Sequence, residues 1–304
     1  MRFKQLEYFE MAVRVGSLRR AAIELGISQP TLSQQIQRLE EELNVVLLFR
    51  APTGVVATDA GRSLLPHVRQ ALRAENELRQ EASEIAGLRQ GKLRAGVIPT
   101  ASHLFLLRAV RKFQETYPGI AFEVIEAGSG QISDWLISGE VDVGVLGHWE
   151  GGTMLSTDEL QSEVLASGFY SICVPPGHRL AEADLVRVED LAGESFVVVE
   201  QGQVLREIFE KIASQVKVKI VYETNSSLFA RRAVDAGIGI SIQSALGATQ
   251  GEGHESIAIR LAESWATGSV VLMRRRFEQP THAAVKFIQV VREAANALNA
   301  HQRQ

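Results

Sequence analysis

The chain carries a single cysteine, Cys173, in 304 residues. An intramolecular disulfide and any cysteine-based zinc cluster are thereby excluded. No apolar run in the sequence approaches the roughly 20 residues that cross a bilayer. The opening Met1-Arg2-Phe3-Lys4-Gln5-Leu6-Glu7 lacks the long apolar core of a secretory leader. These absences predict a soluble cytoplasmic protein with no membrane partner. Catalytic signatures are missing too: there is no GxSxG elbow, no GxGxxG or GxxxxGKS/T phosphate loop and no paired-histidine metal motif. The 7 histidines are scattered, so no metal site is expected. An enzyme built on this chain is accordingly not expected.

What is present is enough chain for two or three packed domains, 45% of it hydrophobic. The net charge of −4 argues weakly against nucleic acid for the whole molecule. It says little about a small terminal domain, and Arg19, Arg20, Arg38, Arg50 and Arg62 all fall near the start.

That start reads as helix, tight turn, helix. Leu6, Phe9 and Val13 recur at helical spacing, predicting a helix from about Phe3 to Val15 that ends at Gly16. Ser17 is a good N-cap for a second helix through about Leu25, with Ala21, Ala22 and Leu25 inward. Gly26 suits a left-handed turn. Ser28 caps a third helix, and Pro30 is tolerated in its first turn because those N–H groups lack intrahelical partners. Leu32, Ile36, Leu39 and Leu43 form its expected buried stripe. Gln29, Ser33, Gln34, Gln37 and Arg38 form an outer face of amides, hydroxyl and guanidinium. Such a face can enter the major groove, where amides pair with adenine and arginine with guanine or phosphate. Gln29, Ser33 and Gln34 are expected at base edges. Thr31, Arg50 and Thr53 are expected on the backbone, and Ser28, Pro30 and Arg38 complete the candidate DNA-binding set. An ordinary solvated helix face is the bland reading of any one of them.

Leu47 to Thr58 reads as a two-stranded wing, closing a DNA-binding domain at 1–58. Thr58 caps a long helix from Asp59 to about Leu88. There Leu64, Val68, Ala71, Glu75, Leu78, Ala82 and Ile85 recur at spacings of four and three, a coiled-coil seam interrupted by Glu75. This helix is expected to pair with a second copy. Gly87-Leu88-Arg89-Gln90-Gly91 is a hinge-like break that ends a linker at 59–90.

Beyond the break, strand and helix signals alternate through 91–304, implying mostly parallel sheets with helices on their faces. Two subdomains are expected, one of about 91–160 with 268–304 and one of about 161–267. Ligands in such domains sit beyond the carboxyl ends of strands. Three strand-to-helix junctions offer hydroxyls and free helix N–H groups: Thr100-Ala101-Ser102, Gly128-Ser129-Gly130 and Thr224-Asn225-Ser226. Glu200-Gln201-Gly202, with Gln203, is an expected opposite wall. These groups suit a carboxylate or other anion, although ordinary N-caps have the same composition. His103 and His148-Trp149 lie near the same strand ends. Cys173 sits in an apolar stretch and reads as a buried, inert thiol.

Many short matches in order make the chain resemble the LysR-type family of bacterial transcription regulators. They include Leu6-Glu7-Tyr8-Phe9, Gly16-Ser17-Leu18-Arg19-Arg20-Ala21-Ala22 and Ser28-Gln29-Pro30-Thr31-Leu32-Ser33. Further on come Thr58-Asp59-Ala60-Gly61, Tyr117-Pro118-Gly119, Gly139-Glu140-Val141-Asp142 and Ala236-Gly237-Ile238-Gly239. Leu47-Leu48-Phe49-Arg50 departs from the more usual Leu-Phe-x-Arg, and Gln34 stands where arginine is frequent. The resemblance implies a multi-domain α/β protein. Its parts are a winged helix-turn-helix, a long linker helix that makes a homodimer, and a C-terminal domain like a periplasmic binding protein. It further implies a homotetramer, double-stranded promoter DNA as partner and a small-molecule effector in the cleft, with no other cofactor. RNA polymerase is a further candidate partner. The peroxide-sensing branch of the family uses a cysteine pair, which one cysteine cannot supply. A ligand-independent architectural or repressor DNA-binding protein is the alternative function.

Overall fold

The computed structural model describes residues 1–51, 54–85, 91–152, 158–244 and 255–301. The described chain divides into two compact units, one made mainly of Met1–Gly91 and one mainly of Lys92–Gln304.

In the first unit, α1 (Phe3–Val15), α2 (Leu18–Glu24) and α3 (Gln29–Leu43) precede a hairpin of β1 (Leu48–Ala51) and β2 (Gly54–Ala57). The long α4 (Asp59–Ile85) follows. The caps are those the sequence predicts. Gly16 ends α1 in the left-handed region at φ 67°, Ser17 Oγ accepts from the Arg20 N–H, and Ser28 Oγ accepts from the Thr31 N–H. Phe9, Ala12, Ala21, Leu32, Ile36, Leu39 and Leu47 are fully buried in one core. Leu43 is not: it is exposed, because Asn44 turns the chain into the left-handed region just beyond it.

The linker seam is also revised. Val68 is buried in the core of its own domain, with Leu64 and Ala71 packed at the margin. The first turns of α4 lie against α1, so their apolar stripe is covered within the chain. Leu78, farther along, is 69% exposed. Of the expected hinge at 87–91, residues 87–90 lie outside the described residues, and Gly91 opens a strand.

The second unit opens with β3 (Gly91–Val97). A continuous helical stretch follows, of α5 (Pro99–Ala101), a π turn (Ser102–Leu106) and α6 (Leu107–Thr116). Then come β4 (Ile120–Glu126), α7 (Ser129–Ser138), β5 (Val143–His148) and the 15-residue β6 (Leu160–Val174). A short β7 (Leu185–Val186) precedes β8 (Ser195–Val199), α8 (Val204–Ala213), β9 (Lys219–Thr224) and α9 (Ser227–Asp235). The order ends with β10 (Ser241–Ser244), β11 (Ile257–Leu261), β12 (Thr267–Arg275) and α10 (His282–His301).

The expectation of mostly parallel sheets does not hold. β12 runs antiparallel to both β5 and β6, and β10 and β11 run antiparallel to β6. Parallel pairing joins β3 to β5, β8 to β9 and β11 to β7. The main sheet has the order β4-β3-β5-β12-β6-β11-β7, with β10 also on β6. The reason is the length of β6. Its first part, Leu160–Phe169, pairs with β12, and its last part, Tyr170–Val174, pairs with β10 and β11.

One strand therefore serves two cores. Leu165 and Ala166 join Val97, Phe105, Phe113, Val270 and Phe287 in the first. Tyr170, Ile172 and Val174 join Phe196, Ile208 and Leu261 in the second. The expected subdomain border near 160 thus falls at the start of β6, ahead of the point where the packing changes between Ala166 and Tyr170. Trp149 and Trp265 meet edge to face at the border of the second core, their rings 5.9 Å apart. The Trp149 Nε1–H also donates to the Trp265 carbonyl at 2.7 Å.

Candidate nucleic-acid interface and effector cavity

Amphipathic spacing turns one side of α3 inward and leaves the other for solvent. Gln29, Pro30, Thr31, Gln34, Gln37 and Arg38 are exposed, and so is the cap Ser28. Ser33 is half-buried. The Ser28 and Thr31 hydroxyls share a 2.7 Å hydrogen bond, which fixes the entry turn of the helix. Gln37 Nε2 donates to Glu41 at 3.2 Å, so that amide is engaged along the helix. Arg20 Nη2 donates to the Val15 carbonyl at 2.8 Å, bracing α2 on the end of α1. Arg50 lies on β1, paired with Val55 of β2. Thr53 lies outside the described residues.

The sequence reading missed Glu40. Its carboxylate accepts from the backbone N–H of Leu47 and of Leu48, tying the exposed helix to the base of the wing. The signal available was a carboxylate eight residues before the first strand. Spacing alone does not show that the chain folds back there.

The second unit contains a cavity of about 60 Å³ between its two cores. Of the expected effector residues, Thr100, Gly128 and Ser129 line it, together with Gln203. Three helices begin at its wall: α7 at Ser129, α8 at Val204 and α9 at Ser227. The first-turn N–H groups of a helix have no partner inside it, so three positive dipole ends converge. Ser129 is 2% exposed, and its Oγ accepts from the Gly147 N–H at 3.1 Å. Gln203 Nε2 donates to the Asn225 carbonyl at 3.0 Å. Ser227, Ser244 and Ser269 add hydroxyls, and Ile98, Val204, Leu205 and Val270 add apolar wall. Among the described residues of the lining, none is charged.

The other expected residues stand outside this lining. The helix starts at Pro99, and Ala101 is buried in the core. Ser102 Oγ donates to Glu126 at 2.5 Å. Gly130 and Gly202 meet each other, the Gly130 N–H donating to the Gly202 carbonyl at 3.0 Å. A Cβ at Gly128 would stand 2.9 Å from that same carbonyl oxygen, so only glycine allows the approach. Thr224 Oγ1 accepts from the Ser226 N–H, and Ser226 Oγ caps α9 at the Phe229 N–H. The Glu200 N–H donates to the Thr224 carbonyl at 2.9 Å, and Gln201 Nε2 donates to Glu210 at 2.6 Å. Asn225 supplies the carbonyl held by Gln203.

The sequence reading missed Tyr170 in the lining, because a tyrosine in an apolar strand looks like core. Its phenol is held well above the ordinary tyrosine range, first by burial and then by the charge of Glu207. Cys173, three residues on, is fully buried, and burial pushes its thiol up to about 11. His148 stands at the end of β5 outside the lining.

A winged helix-turn-helix head and a two-core α/β domain with a helix-ringed cavity define a ligand-responsive DNA-binding regulator. Residues 3–62 match the bacterial regulatory helix-turn-helix protein of the lysR family, and residues 86–296 match the LysR substrate binding domain. The chain belongs to the LysR family of transcription regulators.

It is 32% identical to the DNA-binding transcriptional dual regulator OxyR of Escherichia coli, over 81% of this chain and 80% of that one. It is 27% identical to the transcriptional activator protein LysR of the same organism, over 93% of this chain and 89% of that one. Among solved structures, full-length OxyR of Pseudomonas aeruginosa, as a variant, is similar at TM-score 0.70 and 18% identity, covering 97% of this chain and 95% of that one. Full-length CbnR with its target DNA is similar at TM-score 0.63 and 21% identity, covering 97% and 100%. Members of the family are transcription regulators rather than enzymes. Among the described residues no helix is long and apolar enough to cross a membrane.

Proposed function

We propose that this regulator binds promoter DNA through α3 and the wing and is switched by a small anionic metabolite in the cavity. The observation that carries the ligand class is the convergence of α7, α8 and α9 on one uncharged, hydroxyl-lined space. Helix N-termini favour negative charge, and they do so without a counter-ion that must be desolvated. The amides of Gln29 and Gln34 and the half-buried Ser33 read base edges. Ser28, Thr31, Arg38, Arg50 and Thr53 hold the backbone. Copies associate as a homodimer through the outer part of α4, which implies a dyad-related site, and two dimers form a tetramer. Ligand binding draws the two cores together and changes the spacing of the heads or the bend of the DNA. RNA polymerase is the downstream partner and the cytoplasm the compartment.

The absence of charge in the lining supports a second reading, in which the effector is a neutral hydrogen-bonding molecule. Melting of the full-length protein with matched acids and amides separates the two, because a ligand that binds only the folded state raises the melting temperature. The anionic reading expects the acid to stabilise and its amide not to. Stabilisation by amides alone would overturn it. The length of the DNA footprint with and without the stabilising acid then tests the coupling, and an unchanged footprint would favour the ligand-independent alternative.

A further inference from the structure

Tyr170 lies where the second core meets the cavity. It is 4% exposed, belongs to the apolar cluster of Phe196 and Ile208, and also lines the cavity. Its ring crosses from β6 onto β12. The Tyr170 N–H donates to the Ala266 carbonyl at 2.9 Å, and the side chain leans along the sheet toward Gly268. A Cβ built at Gly268 would stand 2.2 Å from Tyr170 Oη and 2.9 Å from the His148 carbonyl oxygen. Gly268 therefore holds open the space that the phenol occupies. Gly168 faces Gly268 across the two strands, so no side chain competes from the other side of the ladder.

The chemistry of the phenol is set by what surrounds it. Burial and the neighbouring Glu207 carboxylate both disfavour its ionisation. It keeps its proton through the whole physiological range and can donate. Ser129 Oγ and Gln203 Nε2 already serve the Gly147 N–H and the Asn225 carbonyl. Among the described residues, no group is hydrogen-bonded to Tyr170 Oη, and Tyr170 lines the cavity. An O–H at a cavity wall is stabilised when an acceptor reaches it and the ligand excludes water.

We propose that Tyr170, seated over Gly268, is the group that selects the effector, donating to a carboxylate or carbonyl oxygen at the border of the two cores. The inference rests on the effector reading above and adds to it a chosen end of the ligand. The helix N-termini receive negative charge from one side, and Tyr170 requires an acceptor on the other. A ligand that meets both touches the strand on which the packing passes from one core to the other. That gives its binding a direct line to the angle between them.

The test uses the full-length protein with acetate, pyruvate and succinate and their amides as probes. Affinities are read by ligand-detected NMR on wild type, Tyr170→Phe and Gly268→Ala. Melting temperatures without ligand check the fold of each. Tyr170→Phe removes one oxygen and should fold as wild type does. For the acid that binds wild type best, the expected result is about tenfold to a hundredfold weaker binding to Tyr170→Phe, as befits a lost hydrogen bond to a charged acceptor. The preference for that acid over its amide should narrow as well, because the hydrogen bond to a charged acceptor is the stronger of the two, an effect that altered packing alone does not produce. Gly268→Ala should abolish binding by forcing the phenol off its seat. Equal binding by wild type and Tyr170→Phe overturns the selecting role and leaves the effector reading intact. Failure of every acid to bind wild type overturns both.

Discussion

Glu40 holds Leu47: its carboxylate accepts from the Leu47 N–H at 2.7 Å and from the next N–H, that of Leu48, at 3.1 Å. One side chain on the buried edge of α3 thus sets where the wing begins, and with it the separation between the exposed helix face and β1. Glu40→Ala leaves two N–H groups without an acceptor in a partly buried place. The expected loss is about 1–3 kcal/mol of stability for the head domain, by chemical denaturation. Glu40→Gln, which keeps one acceptor oxygen, should lose less. Equal stability of the alanine variant and wild type would remove Glu40 from this role.

On the exposed side of the same helix, amide and guanidinium should separate by their dependence on sequence and salt. Gln34→Ala is expected to cost about 1–3 kcal/mol at one base position and to relax the preference there. Arg38→Ala should weaken binding to all sequences alike and flatten the slope of log affinity against log salt by about one. Electrophoretic mobility shifts on a selected site and its single-base variants, repeated over a salt series, measure both. A Gln34→Ala protein with unchanged base preferences would place the reading of bases elsewhere on the helix.

Two positions of the predicted seam should now behave in opposite ways. Val68 is buried in its own domain, so Val68→Asp should unfold the head whatever the protein concentration. Leu78 is 69% exposed within one chain, so Leu78→Asp should leave the fold intact and weaken association. Circular dichroism and sedimentation velocity distinguish the outcomes. A Leu78→Asp protein that associates as wild type does would remove the outer part of α4 from the interface.

Local chemistry was legible where its cause is local. Ser17, Ser28 and Thr58 are caps that need only a hydroxyl before a periodic run; α2, α3 and α4 begin where they direct, and α1 ends at Gly16. The sheet of the second unit was not legible, because β6 draws pairing partners from positions far apart in the chain, and pairing direction leaves no trace in hydrophobic alternation. The cavity was legible in part. Thr100, Gly128 and Ser129 announce themselves as strand-to-helix junctions. Glu200, Thr224 and Ser226 have the same signature, yet their polar groups are used in holding β8, β9 and the start of α9. Tyr170 and Gly268 carry no motif, since their roles arise only when β6 and β12 lie side by side.

Cys173 is the one thiol of the chain. That thiol is fully buried between β10 and β11, opposite Ser241 and Ala258. Burial is the main cause that raises its pKa from 9.0 to about 11; the Asp235 charge adds to the rise, and the Arg231 charge opposes it. The thiolate is the reactive form, and at neutral pH the folded protein holds almost none. Hydrogen peroxide should therefore leave DNA binding unchanged. A peroxide effect that Cys173→Ala abolishes would contradict this. The same shift has a stability consequence of fixed sign. Below about pH 9 the thiol is protonated in both folded and unfolded chains. Between about pH 9 and about pH 11 the unfolded chain loses its proton while the folded one keeps it, so stability falls as pH rises through this window. Cys173→Ala should show a shallower alkaline decline in denaturant titrations across the same range, and an identical decline would mean that the thiol ionises alike in both states.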